Sequence, residues 1–353
     1  MTPLEQAVMA ADVDALARLL EGTPRAGKAR EIILGEHFFT SWPEFEALQQ
    51  APPDSAVACF ESAVEAILDG DESALRELLG QHPALIHQRS IRTHRATLLH
   101  YVAANGVENF RQRTPANALA ITQMLIDYGA VVDATASMYS ENLDTTLGLA
   151  ATSIHPVNAG VLEPLLDLLL RHGARIDGSL INACHANGRP LAAKLLAARG
   201  ATLDLEAAAG LGQLDVVRAL YSATPAAGVR SGFAWACEYG HTDCVAFFLD
   251  QGMDVSTRLR NHGQTGLHWA AAGGHLEIMR LLLARLSPLD AKDEAFGGTP
   301  LTWALWGFHN RDPGAPNADS YYEAVKLLVA AGSKVSPAWI AQESDEQMQS
   351  ALQ

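Results

Sequence analysis

Residues 263–293 read GQTGLHWAAAGGHLEIMRLLLARLSPLDAKD and contain two short helical patterns. The first pattern, residues 267–272, is about two turns long, and a helix of that length is marginal in water unless other parts of the chain pack on it. Thr265 is suited to N-cap this helix, and Gly273 and Gly274 are suited to end it. The segment therefore needs neighbours in order to fold.

The second pattern covers residues 276–284 and places Ile278, Leu281 and Leu282 on one helical face. Both helices thus present an apolar side, and the pair is predicted to be a helical hairpin. Further along, Thr299-Pro300 repeats the start signal, with a capping residue followed by proline at the first helical position.

Self-similarity along the chain supplies the neighbours. An apolar doublet followed by a glycine turn recurs at 125–130, 169–174, 195–201, 248–253 and 327–333, and Ala-rich helical patterns precede these turns at 99–106, 146–153, 181–188, 233–241, 267–275 and 301–305. Further copies lie at 206–221 and 63–79, with a frayed one at 7–20. The period is about 30 residues, which is typical of stacked repeat proteins.

The segments TGLHWAAAGGHLEIMRLLL and GGTPLTWAL resemble the ankyrin repeat. The resemblance covers roughly residues 56–340 and implies an all-α solenoid of stacked helical hairpins with short β-turn fingers. It implies about eight divergent repeats of a bacterial type. Gly266 stands where the motif has proline, Leu286-Ser287 replace its Gly-Ala, and the finger within 205–230 is weak.

The predicted organisation has four parts: a degenerate helical hairpin at 1–24, a non-repeat cap and hinge at 25–55, the repeats at 56–340 and a C-terminal cap or tail at 341–353. The second part contains four aromatic residues, too many for a bare linker. We favour a cap over the first repeat, since exposed terminal repeats need covering. The alternative is a folded-back segment that mimics a ligand.

Three insertions are predicted between the two helices of a repeat, at 107–121, 152–164 and 306–325. Surface loops lengthen at little entropic cost, which favours simple tolerance of the added residues. Insertions in repeat proteins also often lie on a binding face, so they are alternatively predicted to form one wall of a site.

Composition excludes several classes of protein. The net charge is −15, which disfavours nucleic acid and anionic membranes as partners, and no apolar run reaches 18 residues. The acidic N-terminus lacks the features of a secretory signal, and the four cysteines have no metal-ligand spacing. A cytoplasmic monomer without cofactor or metal is expected.

The histidines have a structural explanation through the resemblance. His100 and His268 occupy the histidine position of the TPLH-like tetrad, and His241 and His275 follow glycine at the inter-helix corner. In the family such histidines connect neighbouring repeats by hydrogen bonds. No catalytic motif was recognised, and the chain is predicted not to be an enzyme.

Aromatic residues give the candidate site. Alignment of the first helices places Tyr101, Trp235, Trp269 and Trp303 at one position, which the resemblance assigns to the concave groove. The predicted partner-binding residues are Tyr101, Trp235, Glu238, Tyr239, His262, Gln264, Trp269, Glu294, Phe296, Trp303 and Trp306, with Asn261 as a further finger residue. Half-buried packing is the alternative explanation for the repeated tryptophans. Clustered aromatics favour recognition if they are exposed.

The sequence therefore predicts a non-catalytic scaffold that holds a neutral or basic protein or peptide in its groove. A small-molecule-binding protein or enzyme, with a groove site walled by the insertions, is the first alternative. An inhibitor or immunity-type regulator of a basic client protein is the second.

Overall fold

The computed structural model describes residues 2–139, 144–259, 262–310 and 318–353. The described chain forms two compact units. Unit 1 comprises residues 1–180 and 187–195, and unit 2 comprises residues 181–186 and 196–353.

Unit 1 contains eleven complete helices among its described residues. They are α1 (Pro3–Met9), α2 (Val13–Leu19), α3 (Ala29–Glu36), α4 (Trp42–Gln49), α5 (Ala56–Asp69), α6 (Glu72–Gln81), α7 (Leu98–Tyr101), α8 (Ala118–Asp127), α9 (Thr146–Thr152), α10 (His155–Asn158) and α11 (Leu162–Arg171). Two short strands, β1 (Thr135–Ala136) and β2 (Asp144–Thr145), pair antiparallel. Helices α12 (Leu180–Ala186) and α13 (Pro190–Ala198) are divided between the units.

Helices α1 to α4 share a hydrophobic core of their own. Leu16, Ile33 and Phe45 are its most deeply buried members. Thr2 and Glu5 form a capping box that starts α1, and Asp12 caps α2. The segment predicted as a non-repeat cap thus contributes α3 and α4 to a small helical subassembly with the first hairpin.

The repeats of unit 1 stack through inner helices α5, α7 and α9 and outer helices α6, α8 and α11. Helix α7 ends at Tyr101, so the predicted helical pattern over 99–106 was too long. Ala104 and Gly106 both have positive φ, which the right-handed helix excludes. The insertion predicted at 107–121 also overlaps the first turn of α8, and α10 lies within the one predicted at 152–164.

Unit 2 continues with inner helices α14 (Leu205–Gly210), α16 (Ala226–Glu238), α18 (Gly266–Ala272) and α20 (Pro300–His309), and outer helices α15 (Leu214–Leu220), α17 (Thr242–Asp250), α19 (Leu276–Ala284) and α21 (Ala318–Ala330). The predicted helical hairpin at 267–284 is confirmed in α18 and α19. The weak finger predicted within 205–230 is replaced by a 3₁₀ turn and the first turns of α16.

The two start signals act as predicted. Thr265 and His268 form a capping box at α18, and Thr299 and Thr302 form one at α20, with Pro300 in its first turn. Helix α20 runs to His309 and α21 begins at Ala318, so the described ends of the insertion predicted at 306–325 are helical. Its residues 311–317 lie outside the described part of the chain.

The turns after the outer helices α17 and α21 each contain a left-handed residue. Gly252 and Gly332 supply it with φ of 91° and 102°. After α19 the same conformation is taken by Leu286, with φ of 61° and an exposed fraction of 88%. A leucine there is strained, because its Cβ crowds the backbone.

The C-terminal residues close unit 2. Helices α22 (Pro337–Gln342) and α23 (Glu346–Ala351) follow the last repeat, and Met348, Ala351 and Leu352 are buried in the core of unit 2. All four cysteines, Cys59, Cys184, Cys237 and Cys244, are buried. Within the described ranges no helix is long and apolar enough to cross a membrane.

Candidate functional site

The inner helices of unit 2 align their tryptophans. Helices α16, α18 and α20 contact one another in order and carry Trp235, Trp269 and Trp303 at the same position. The rings of Trp269 and Trp303 meet edge to face with centroids 5.0 Å apart, and both side chains are half-buried. The predicted alignment of these tryptophans is therefore present in three dimensions.

The first tryptophan is packed away from solvent. Trp235 is buried and stacks on Tyr239 at 5.9 Å, and Tyr239 lies 5.0 Å from the ring of His185. The Tyr239 hydroxyl donates a hydrogen bond to the His185 carbonyl at 2.5 Å. For Trp235 the alternative explanation of packing fits its environment.

Two aromatic side chains are instead largely exposed. Trp306, one turn beyond Trp303 on α20, has an exposed fraction of 61%, and Phe296 has one of 83%. We call Trp269, Trp303, Trp306 and Phe296 the candidate aromatic residues of unit 2. An exposed tryptophan and an exposed phenylalanine in one repeat are candidates for a recognition surface.

Asp293 fixes the loop that carries Phe296. Its Oδ1 accepts hydrogen bonds from the N–H groups of Ala295 and Phe296 at 2.9 and 2.7 Å. Its Oδ2 accepts from the N–H of Gly298 at 2.8 Å and from Nε1 of Trp303 at 3.0 Å. One carboxylate therefore links the finger to the tryptophan on the inner helix and holds both in fixed positions.

The charge of Asp293 is maintained by these donors. Burial alone would raise its pKa, but the hydrogen bonds from Phe296, Trp303, Gly298 and Ala295 lower the pKa below its ordinary value. The finger thus keeps an ionised carboxylate at neutral pH, and each donor bond is charge-assisted.

A backbone hydrogen bond connects the finger before α18 to the finger before α20, since the N–H of Glu294 donates to the carbonyl of His262 at 2.8 Å. Within the first of these fingers, the N–H of Leu259 donates to the carbonyl of Gln264 at 2.6 Å. The side chains of His262 and Glu294 are exposed, and that of Glu238 is half-buried. Glu294 and His262 therefore border the surface from the finger side.

Besides Trp235, two of the predicted contact residues are buried. Gln264 is buried in unit 2, with an exposed fraction of 2%. Tyr101 belongs to unit 1 and has an exposed fraction of 0%, so it cannot touch a partner in this conformation. Burial raises the pKa of Tyr101 far above its ordinary value. Asn261, predicted as a further finger residue, lies outside the described residues.

The predicted structural histidines connect successive repeats. Nδ1 of His268 accepts from the N–H of Thr265 at 3.0 Å, and its Nε2 donates to the Gly298 carbonyl at 3.2 Å. His275 donates to the Glu238 carbonyl at 2.7 Å. Burial lowers the pKa of both imidazoles, which keeps them neutral in these roles.

The same arrangement recurs for the other two histidines. His100 caps α7 together with Thr97 and donates to the Asp144 carbonyl at 3.2 Å, and His241 donates to the Gly210 carbonyl at 2.9 Å. The structural interpretation of these histidines is confirmed. Imidazoles engaged in this way are not available as general acids or bases.

This repeated hydrogen bonding, together with the hairpin stack, is matched by a family comparison. The family described as ankyrin repeats (3 copies) matches residues 205–293 and 233–338. Residues 205–338 of the chain therefore form ankyrin repeats. The matched residues lie in unit 2 and include the candidate aromatic residues defined above. A search of curated proteins gave no significant match.

Among the described residues, no group of three or more histidine, cysteine, aspartate or glutamate side chains is arranged to hold a metal ion.

The feature of the candidate site that the sequence analysis missed is Asp293. An aspartate five residues before a glycine, ahead of a Thr-Pro helix start, is a usable signal because short polar side chains bond the backbone of their own turn.

Proposed function

We propose that the ankyrin repeats of unit 2 bind another protein or peptide on the aromatic residues Trp269, Trp303, Trp306 and Phe296. Ankyrin repeats generally mediate protein–protein interaction. The observation that carries the proposal here is the exposure of Trp306 and Phe296 on a rigid finger and helix pair. Tryptophan and other large aromatics dominate binding hot spots because they bury much area at low entropic cost.

The partner is proposed to be neutral or basic. Glu294 is exposed beside Phe296, and the whole chain has a formal charge of −15. Such a field repels polyanions and accelerates the approach of cationic surfaces, more so at low ionic strength. We further propose that the surface acts by binding alone, since the structural histidines are engaged between repeats. That the protein is a cytoplasmic monomer stays a prediction.

Affinity capture with matched variants tests this proposal. Wild type, Trp306→Ala and Phe296→Ala are used as bait in native lysate, and both retained proteins and retained small molecules are identified by mass spectrometry. Both substituted side chains are exposed, so the repeats should keep their helical signal. We expect a protein retained by wild type to bind each variant at least about 30-fold more weakly, as hot-spot residues do.

The matched control is Tyr139→Ala. Tyr139 is an aromatic residue of unit 1 with a similar exposed fraction, 69%, and lies outside the proposed surface. Its removal should leave capture unchanged. Equal retention by all four proteins would refute the proposed surface, and a retained metabolite without an enriched protein would favour the small-molecule alternative.

Ionic strength tests the charge of the partner separately. Glu294→Gln should slow association and reduce the salt dependence of the association rate, while leaving dissociation nearly unchanged. A partner whose association rate does not respond to salt or to this substitution would be neutral at the interface.

A further inference from the structure

The inner face of unit 1 is covered, and what covers it is part of the same chain. Residues 88–97 precede the inner helix α7 as residues 259–265 precede α18, so Arg92 and His94 lie at finger positions. Tyr101 on α7 corresponds to the tryptophans of unit 2. In unit 2 this combination of finger and inner helix forms the proposed partner surface.

Residues 36–39, with the sequence Glu-His-Phe-Phe, make the covering contacts, and we call them the clasp. The N–H of Thr93 donates to the Phe38 carbonyl at 2.9 Å, and Nδ2 of Asn109 donates to Oε2 of Glu36 at 2.9 Å. The clasp therefore has one backbone and one carboxylate contact with the repeats.

Aromatic contacts complete the docking of the clasp. The ring of Phe38 lies 5.1 Å from that of His94, and the ring of His37 lies 4.9 Å from that of Phe110. The Arg92 guanidinium lies 5.5 Å from the ring centre of Phe39. Together with the hydrogen bonds, these are the kinds of contact that a short bound peptide makes with a groove.

The backbone of the clasp is strained at its tip. Phe38 has φ of 57°, a left-handed conformation that is unfavourable for a bulky residue. The strain persists because the contacts of Phe38 with Thr93 and His94 hold the turn in place. Release of the clasp would relieve it.

The surface beneath the clasp is charged. Arg92 and Arg111 are both buried and pair with the fully buried Glu108, and Arg111 also pairs with Glu61 at 2.8 Å and Glu65 at 2.7 Å. Buried ion pairs contribute little net stability, because separated charges regain their hydration. Uncovering this surface therefore costs less than uncovering an apolar one of equal area.

A cleft open to solvent also lies between the N-terminal helices and the repeats. Its volume is about 530 Å³, and it is lined by Met9, His37 and Leu48 from the N-terminal part and by Glu61 and Arg111 from the repeats. Helices α1 to α4 have their own core, and residues 50–55, including the exposed Pro52 and Pro53, connect them to α5.

We propose that unit 1 carries a second peptide-binding surface, on residues 92–94 and 108–111, which the clasp occupies as an internal ligand. The clasp defines the chemistry of an external ligand: an acidic residue two positions before a pair of aromatic residues. The carboxylate is bound by Asn109, the first aromatic ring by His94, and its carbonyl by the N–H of Thr93. This proposal does not depend on the proposed function of unit 2.

Hydrogen exchange on the wild-type chain tests whether the clasp opens separately. The Thr93 amide, which the Phe38 carbonyl protects, is expected to exchange at least tenfold faster than the amides in the middle of α5. Exchange of Thr93 only at the rate of the α5 amides would overturn the proposal, because the clasp would then separate only when unit 1 unfolds.

Peptide binding tests the surface itself. A fluorescently labelled peptide of residues 33–41 is titrated against the wild-type full chain and against the full-length Glu36→Ala/Phe38→Ala variant. We expect the variant to bind the peptide at least tenfold more tightly, since its internal competitor is weakened. The same two changes made in the peptide should abolish binding, and Trp306→Ala in unit 2 should behave as wild type.

A folded variant that binds the peptide no better than wild type, or that binds the altered peptide equally well, would refute the second surface. If the double variant fails to fold, the exchange of Thr93 in the wild-type chain decides the question alone.

Discussion

The inner helices of the two units carry aromatic residues at the same repeat position in opposite environments. In unit 1, Tyr101 is fully buried, and its ring lies 6.1 Å from that of His94, which the clasp contacts. In unit 2, Trp269 and Trp303 are half-buried and Trp306 is exposed. Trp235, at the same position in unit 2, is also buried, by its packing with Tyr239 and His185. The position within the repeat sets the direction of a side chain, whereas its accessibility depends on the residues that cover it. An aromatic residue at a groove position is therefore a binding candidate only where nothing in its own chain lies over it.

The largest expected effect is a loss of stability in unit 1, where buried ion pairs lie beneath the clasp. Glu108→Gln keeps the volume of the side chain but leaves Arg92 and Arg111 buried with fewer negative partners. Removal of one member of a buried ion pair costs about 3 to 5 kcal/mol, and we expect a loss of that size in the unfolding free energy of unit 1. Hydrogen exchange resolved by unit measures it.

Glu294→Gln in unit 2 is the matched control, since the same chemical change is made at an exposed finger position. It should leave the exchange of both units nearly unchanged. A loss below about 1 kcal/mol for Glu108→Gln would contradict the view that this network holds the covered face.

The stability of unit 2 should depend on apolar packing instead. Leu282 on α19 is completely buried in the core of unit 2, and Leu282→Ala should lower its unfolding free energy by about 2 to 5 kcal/mol. Denaturation followed by circular dichroism, with hydrogen exchange to locate the change, is the measurement. An unaltered melt would mean that the register of the hairpin is wrong.

Acidification should lower the stability of unit 1 through His100, by a smaller amount. Burial lowers the pKa of His100 from 6.5 to about 4, so the unfolded chain binds a proton there before the folded chain does. Stability from this group is complete above pH 6.5 and decreases to a loss of about 3 kcal/mol near pH 4, below which the loss stops growing. The difference in pH dependence between wild type and His100→Gln measures it.

Glu108 extends the acid sensitivity of unit 1 to lower pH. Burial would raise its pKa, but His94, Arg92 and Arg111 lower it from 4.5 to about 2. Its contribution is present above pH 4.5 and is lost as the pH falls toward 2. The pH dependence of exchange in unit 1 should therefore be weaker in Glu108→Gln than in wild type as the pH falls from 4.5 toward 2, and an equal dependence in both would contradict the assignment.

The smallest expected effect is an increase in the stability of unit 2. Leu286→Gly gives the turn after α19 the residue found after α17 and α21, and relief of the left-handed strain should stabilise unit 2 by about 1 kcal/mol. Leu286→Ala is the control, because it removes the same exposed side chain and keeps the Cβ. Equal stability of the two variants would show that the turn is not strained.

Much of the fold could be predicted from the sequence, because the repeat carries its own signals. Thr265 and Thr299 start helices where expected, and the glycine turns recur. The length of α7 could not be predicted, since the positive φ of Ala104 is imposed by packing and alanine gives no sign of it.

The accessibility of the candidate site residues could not be predicted, for the same reason. Trp303 and Trp306 lie on α20 and Phe296 lies in the finger before it, but the alignment of the first helices could not show that Tyr101 is covered. The contacts of the clasp join residues about 55 to 75 positions apart in the chain, and a single sequence gives no pairing signal over that distance.

The four buried cysteines are intrinsic probes of local unfolding in this chain. Cys59 lies on α5 in unit 1, and Cys237 and Cys244 lie on α16 and α17 in unit 2. Burial raises the pKa of Cys244 to about 11, so alkylating reagents find almost no thiolate until the helices separate. The rate at which each thiol is labelled therefore times the opening of its own unit, without a probe being introduced.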